Sequence, residues 1–362
     1  MKKGIDKTLF IAVIILGIFG VIMIYSASFV WAEFKFNDPY KFAKMQFIFL
    51  LIGIILVYML SKIDYHLYYK HANKILLICG ILLILVLIPG LGTVRNGSRS
   101  WFGIGSLGIQ PSEFAKLGLI MYVSKYLTNN NRIMKNIFKG VFPILGVIAV
   151  FFLLIMLEPD FGTAMVIVLT LVILIFISGV DVLFFVKIGL VGLLGIVGII
   201  IAAPYRMKRI VSFLNPWSDP LGSGYQILQS LYAIGPGGLL GQGFLKSRQK
   251  YFYLPEPQTD FIFSIISEEL GFLGVLIVSL AFSFIFYRSV SISLKCKDLF
   301  GKYLAFGLSF GLIIQASLNL MVVVGLIPVT GVTLPFLSYG GSSLLVSMAS
   351  IGIILNISRN NS

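Results

Sequence analysis

Carboxylates, cysteines and histidines are the scarce residues of this chain: its 362 residues include 14 Asp and Glu, 2 Cys and 2 His. Cys79 and Cys296 each lie in or beside an apolar segment and none falls in an extramembrane loop, which argues against a disulfide framework and a cysteine metal site. His66 and His71 share one short polar linker with no carboxylate cluster nearby, so both read as surface side chains. Charged residues make up 12%, about half of the roughly 25% of a soluble globular domain. So few charges cannot clothe a water-soluble surface. Lys and Arg, 28 in all, outnumber the acids, but they form short clusters between apolar stretches rather than a separate basic domain. That placement argues against nucleic-acid binding and for membrane topology and anionic headgroups.

What the chain has in plenty is hydrocarbon. Hydrophobic residues reach 58% and the mean hydropathy is +0.99. A transmembrane helix needs roughly 17–25 apolar residues. Ten segments qualify, near 9–30, 46–61, 75–91, 112–127, 141–157, 161–180, 182–204, 259–288, 303–325 and 332–357. The pair 141–157 and 161–180 is separated only by Glu158-Pro159-Asp160, either a tight turn or a kink. Lys2, Lys3 and Lys7 before the first run imitate a secretory signal, but that run exceeds the ~7–15 residues of a signal core and more spans follow it. The expected fold is an all-α polytopic membrane protein, one domain over 1–362 with a large outer loop at 205–258.

Orientation follows from Lys and Arg. With the N-terminus in the cytoplasm, the inner segments hold Lys2, Lys3, Lys7, Lys62, Lys70, Lys74, Lys125, Arg132, Lys135, Lys139, Lys187, Arg288, Lys295, Lys297, Lys302 and Arg359. The short outer loops hold only Lys35, Lys41, Lys44, Arg95 and Arg99. Both termini are therefore expected in the cytoplasm. The long loop adds Arg206, Lys208, Arg209, Lys246, Arg248 and Lys250 outside, but long loops translocate largely regardless of charge. No internal repeat supports an inverted-repeat transporter. The aromatic and glycine content of 205–258 suits an ordered, functional loop.

With so few acids, each can be weighed. Asp6, Asp64, Asp181 and Asp298 fall in cytoplasmic segments, Glu33 and Asp38 in the first outer loop, and Asp219 in a turn. Seven lie in or at the edge of apolar helices, where charge is expensive and marks function or an ion pair: Glu113, Glu158, Asp160, Glu256, Asp260, Glu268 and Glu269. Glu113 and Lys116 are three apart on one helix face, behind a start at Pro111 with Ser112 as expected N-cap. Glu158 and Asp160 flank a turn at the outer surface, in a structural or cation-holding role. Glu268 and Glu269 are expected to pair with a basic group on another helix. Asp260 opens the eighth span at the outer interface, where a carboxylate can meet both a lipid headgroup and an aqueous co-substrate; a cap stabilised by the helix dipole is the plainer reading.

Five stretches resemble the SEDS family of bacterial membrane proteins, which includes FtsW, RodA and SpoVE. They are Tyr25-Ser26-Ala27-Ser28, GSRSWFGIGSLGIQPSEFAKL from Gly97, PYRMKRIVSFLNPWSDPLGSGYQILQSLYAIGPGGLLGQG from Pro204, LPEPQTDFIFSIISEELGFLG from Leu254 and GLIPVTGVTLPFLSYGGSS from Gly325. Asn215-Pro216-Trp217 and Gln249-Lys250 lean towards the FtsW and SpoVE branch, and the short tails towards SpoVE. The resemblance implies a peptidoglycan glycosyltransferase of the cytoplasmic membrane that polymerises lipid II, the undecaprenyl-diphosphate-linked disaccharide-pentapeptide, on the outer face. It also implies a class B penicillin-binding transpeptidase as partner. The family's essential aspartate falls on Asp260, as general base. Substrate-lining positions fall on Trp101, Arg99, Glu113, Lys116 and Glu256. The departing diphosphate needs positive charge, from Arg206, Lys208 and Arg209, from Lys246, Arg248 and Lys250, or from a divalent cation such as Mg2+ or Mn2+. No metal ligands are assigned. Two other readings stay open: a lipid II flippase with no bond chemistry, and a scaffold that places the transpeptidase. Division, elongation and spore-cortex synthesis are not distinguished.

Overall fold

The computed structural model describes residues 4–95, 97–103, 108–201, 213–222 and 224–360. Each of the ten expected spans coincides with one long helix. These are α1 (Lys7–Phe36), α2 (Lys41–Lys62), α3 (His66–Leu87), α4 (Pro111–Asn130), α5 (Phe142–Leu157), α6 (Phe161–Ile177) and α7 (Val182–Ile201), then α9 (Ile262–Lys295), α10 (Leu299–Val323) and α11 (Gly341–Asn360). A short helix, α8 (Tyr225–Ile234), lies in the long outer loop. Among the described residues, seven helices are long and apolar enough to cross a membrane. Of the remaining spans, α4 carries Glu113 and Lys116, and α6 has only 17 residues. Large apolar side chains such as Ile15, Ile55, Leu77, Leu153 and Ile277 stay exposed, as lipid-facing residues must. α11 is the central helix, with 83% of its most apolar window buried, and it packs along α2. The two run close: a Cβ on Gly352 would come within 3.1 Å of Val57 Cα.

The ends of the chain meet on one side. Asp6 caps α1 by accepting from the Leu9 amide (3.0 Å), pairs with Arg288 of α9 (2.6 Å) and receives Ser358 of α11 against its own amide (3.2 Å). Ten spans with both termini together agree with the charge-based orientation. His66 and His71 lie in the first turns of α3 rather than in a linker, His66 exposed and His71 half-buried. Cys79 and Cys296 are buried and unpaired.

Three expectations need correction. Residues 92–111 are not plain loop: β1 (Thr93–Arg95) and β2 (Ser98–Trp101) form an antiparallel hairpin, turning at Gly97 with φ 82. α4 takes Gln110 as its N-cap residue, with Pro111 in the first turn; the Ser112 hydroxyl points to Asp160 instead (3.3 Å). The last span begins at Gly341, not 332, because Pro335 and the turn at Leu334–Ser338 keep the preceding segment irregular. Glu158-Pro159-Asp160 is a tight turn between α5 and α6.

The long outer loop does not stay outside. α9 breaks at Gly271, whose φ 63 and ψ −158 only glycine adopts readily. The loop's Gly-rich run enters that break. Gln242 and Gly243 amides donate to the Glu268 and Glu269 carbonyls (2.9 and 3.0 Å), and Phe272 and Leu273 amides donate to the Gly238 and Leu239 carbonyls (2.9 and 3.1 Å). The loop thus supplies partners for the Glu268 and Glu269 carbonyls and the Phe272 and Leu273 amides, the kind of replacement that irregular backbone at membrane depth requires. Leu239 and Leu240 at the loop's tip face outward, 73% and 74% exposed.

Candidate active site

Asp260 stands two residues before α9, at the outer end of the bundle. Pro255 and Pro257 bar a helix there, and the chain turns at Glu256 (φ 44) with the Thr259 amide donating to the Glu256 carbonyl (3.1 Å). Its placement comes from the main chain. The Asn319 side-chain amide of α10 donates to the Asp260 carbonyl (2.7 Å) and to the Val332 carbonyl (2.7 Å). The Tyr339 amide donates to the Gln258 carbonyl (2.8 Å). The segment 254–261 is thereby clamped between α10 and the irregular 327–340 stretch.

The carboxyl itself is left largely uncommitted. Thr259 Oγ1 lies 2.9 Å from Asp260 Oδ1, and among the described residues no Lys or Arg pairs with it. Half-burial, opposed by the Thr259 hydrogen bond and helped by the charge of Glu256, pushes Asp260 up to about 6. A base with that affinity is ionised at neutral pH yet still takes a proton readily, the compromise general base catalysis needs.

Glu113 and Lys116 form a buried pair at 2.7 Å, and Lys116 Nζ also donates to Gln315 Oε1 (2.5 Å). The Gln315 amide reaches the Thr333 carbonyl (3.1 Å) and Ser343 Oγ (3.2 Å). Gln315 and Asn319 are one turn apart on α10, and both hold the Val332-Thr333 segment. The expected pair is therefore joined to Asp260 through two amide side chains and one loop. Asp160, at the foot of α6, accepts from the Thr163 amide (3.1 Å) and the Gln110 side-chain amide (2.8 Å). Glu158 is fully buried, and neither of its oxygens has a hydrogen-bond partner among the described residues; burial, with Asp160 adding, pushes it up to about 8. The outer turn that holds Glu158 and Asp160 is packed under the hairpin, where Ser98 Oγ donates to the Glu158 main-chain carbonyl.

The cations distribute unevenly. Lys246 and Arg248 are exposed on the loop, and Arg99 is half-buried with Nη1 at 3.5 Å from the Leu87 carbonyl. Trp101 is half-buried, and the guanidinium stacked on its ring, 4.6 Å from the centroid, belongs to Arg95 rather than Arg99. Lys250 departs from expectation. Its side chain is wholly buried and its ammonium meets Glu269 at 2.7 Å, so it is not presented to a lipid phosphate. The base that neutralises Glu269 thus comes from the outer loop and not from another helix. Glu268 makes no ion pair within 4 Å among the described residues; it accepts from the Ser247 hydroxyl and the Arg248 amide (2.7 Å). Glu256 is exposed beside Asp260. Arg206, Lys208 and Arg209 lie outside the described residues.

Sequence reasoning built on charge missed Asn319, Gln315, Thr333, Gln258 and Arg95. A signal existed for two of them: Gln315 and Asn319 are amides at i and i+4 in an otherwise apolar helix, where a polar side chain must have a partner.

The chain matches the family model described as "Cell cycle protein", FtsW/RodA/SpoVE, over residues 6–362. It is 51% identical over 358 residues to "Stage V sporulation protein E" of Bacillus subtilis (strain 168), covering 99% of this chain and 98% of that one. It is 41% identical to a "Probable peptidoglycan glycosyltransferase FtsW" of Geobacter sp. (strain M18), covering 98% and 97%. Among solved structures it superimposes on a chain from a study of "polymerization and crosslinking by a peptidoglycan synthase complex" with TM-score 0.79 at 30% identity, covering 99% and 98%. For the rod shape determining protein RodA of Thermus thermophilus the TM-score is 0.73 at 28% identity, covering 99% and 97%. The family model spans residues 6–362, and the chain belongs to the FtsW/RodA/SpoVE family of multi-pass cytoplasmic-membrane proteins.

Proposed function

We propose that this protein is a peptidoglycan glycosyltransferase that polymerises lipid II on the outer face of the cytoplasmic membrane, with Asp260 as its general base. The observation that carries the reading is the state of Asp260: fixed by its backbone, half-buried, raised to about 6 and, among the described residues, without a Lys or Arg partner at the outer end of a lipid-embedded bundle. Relatives named as peptidoglycan glycosyltransferases span nearly the whole chain.

The acceptor is the 4-hydroxyl of the N-acetylglucosamine on an incoming lipid II, and the donor is the anomeric carbon at the end of the growing glycan. Asp260 takes the hydroxyl proton as the oxygen bonds to that carbon, while the bond from carbon to undecaprenyl diphosphate breaks and its electron pair leaves with the diphosphate. A placed base contributes about 10²–10⁴-fold to such a step. Lys246 and Arg248, exposed on the loop before Asp260, and the hairpin's Arg95, stacked on Trp101, are the described cations best able to offset the leaving charge. Among the described residues no three His, Cys, Asp or Glu gather as a metal cage. A divalent cation, Mg2+ or Mn2+, would therefore be held by one or two carboxylates, Asp260 or Glu256, together with the substrate's own phosphate oxygens. A class B penicillin-binding transpeptidase is the partner that would cross-link the strands.

The test is strand synthesis from labelled lipid II by purified full-length protein, with and without the co-expressed transpeptidase. Long strands from wild type and none from folded Asp260→Ala support the reading. Normal synthesis by Asp260→Ala removes Asp260 from catalysis. Transfer of lipid II across vesicles without strands, unaffected by Asp260→Ala, would establish the flippase instead.

A further inference from the structure

The Tyr25-Ser26-Ala27-Ser28 stretch lies in α1, far in sequence from Asp260, and the glycosyltransferase reading gives it no task. The structure gives it one. Ser26 is fully buried, and its hydroxyl lies 2.7 and 2.6 Å from the two oxygens of Glu269. Glu269 also meets Lys250 Nζ at 2.7 Å and accepts from the Ser247 amide at 3.2 Å. Lys250 Nζ sits 4.8 Å from the centre of the Phe29 ring, and Phe34 packs edge-on against Phe252 at 5.3 Å. Three positions along one side of α1, Ser26, Phe29 and Phe34, thus meet Lys250 and Phe252 of the loop, which α9 holds from the other side through Glu268 and Glu269.

We infer that the buried Ser26–Glu269–Lys250 cluster is a positioning device that ties α1 to the strand of chain ending at Asp260. Ten residues separate Lys250 from Asp260, and the Leu254 amide donates back to the Gln249 carbonyl (2.9 Å), so little slack remains between them. The far end of this strand is held by Asn319 and Tyr339. Release at Lys250 leaves the near end held through the Glu268 contacts to Ser247 and Arg248, which loosens the segment that ends at Asp260. The chemistry of the cluster suits the task. A wholly buried charged pair gives little net stability compared with apolar residues, but it tolerates only one arrangement, since moving either partner strands a charge in hydrocarbon. Lys250 is then a positioning residue, and α1 is a route by which a change at the outer end of the first span reaches the base.

The inference rests on the glycosyltransferase reading for its consequence but not for its geometry, and the experiment separates them. Two variants avoid an uncompensated buried charge: Ser26→Ala, and the double neutral variant Lys250→Met with Glu269→Met. Strand synthesis by full-length protein is measured against lipid II concentration, with wild type and Asp260→Ala alongside. The expected result is a kcat loss of several-fold for Ser26→Ala and about 10²-fold for the double variant, the cost of a small misplacement of a catalytic group, at nearly unchanged KM. In parallel, amide hydrogen exchange in detergent should rise at residues 250–260 in the double variant, while α4 and the inner half of α9 keep wild-type protection. A merely stabilising pair would lower the folded fraction without splitting kcat from KM and without confining the exchange to that segment. Wild-type kcat in both folded variants overturns the inference. If wild type makes no strands, the glycosyltransferase reading falls, and unchanged exchange at 250–260 would still overturn the tether.

Discussion

The side-chain amide of Asn319 donates to the main-chain carbonyl of Asp260 at 2.7 Å, so the proposed base is placed by its backbone while its carboxyl stays open to substrate. A side-chain anchor would have spent the acceptor oxygens that the chemistry requires. The same amide holds the Val332 carbonyl, which makes one residue the hinge pin for two irregular segments.

Asn319→Leu should therefore disturb geometry more than fold. Two buried carbonyls lose their donor, at about 1–3 kcal/mol each when left unsatisfied. Lipid II polymerisation is expected to fall about 10²-fold in kcat with a modest loss of thermal stability. A variant with full kcat would show that Asn319 does not position the site.

The pH dependence of strand synthesis should report Asp260. Its raised affinity means the base form appears only as pH climbs through about 6. The rate is expected to be half-maximal there and flat above pH 7, and at pH 5 roughly ten-fold lower, because roughly one carboxyl in ten is then ionised. A pH–rate profile for kcat/KM, with Asp260→Asn inactive throughout, checks this. A profile flat from pH 5 to 7 would remove the assignment.

Gly271 is the joint at which the outer loop enters α9. A Cβ there would sit 2.3 Å from the Gly241 amide nitrogen, in a backbone region that costs side chains about 1–3 kcal/mol on strain alone. Gly271→Ala should lower the melting temperature in detergent and release the loop to limited proteolysis near 237–243. Gly189→Ala, where a Cβ meets nothing within 4 Å, should be silent in both assays.

Glu158 should make stability fall as pH rises. Its folded-state value is about 8 against an ordinary carboxylate value of 4.5, so between those limits the folded protein holds a proton that the unfolded chain has released. Stability is greatest below about pH 4.5 as far as this group is concerned, declines through the window, and has lost that contribution above about 8. Thermal melts at pH 5 and pH 9 should show the decline in wild type and a smaller one in Glu158→Gln, which is neutral throughout.

The spans, the shared side of the termini and the position of Asp260 were legible in the sequence because each depends on local quantities. Hydrocarbon thickness fixes span length, Lys and Arg fix orientation, and a carboxylate at a helix mouth among prolines is visible as such. The Glu113–Lys116 pair was legible for the same reason, being set by helical spacing alone. Lys250 was not. By sequence it is one more cation on a basic outer loop; only the descent of that loop into the break at Gly271 brings it against Glu269 and Ser26 and buries it. Gln315 and Asn319 likewise acquire meaning only when α10 is packed beside segments 258–260 and 332–333. Composition and periodicity determined that this chain lives in a membrane and where its few carboxylates fall, while the family resemblance singled out Asp260 among them. The tertiary structure decided which of its charges are spent on one another inside the protein, because partner choice in a low-dielectric interior is settled by packing and not by order along the chain.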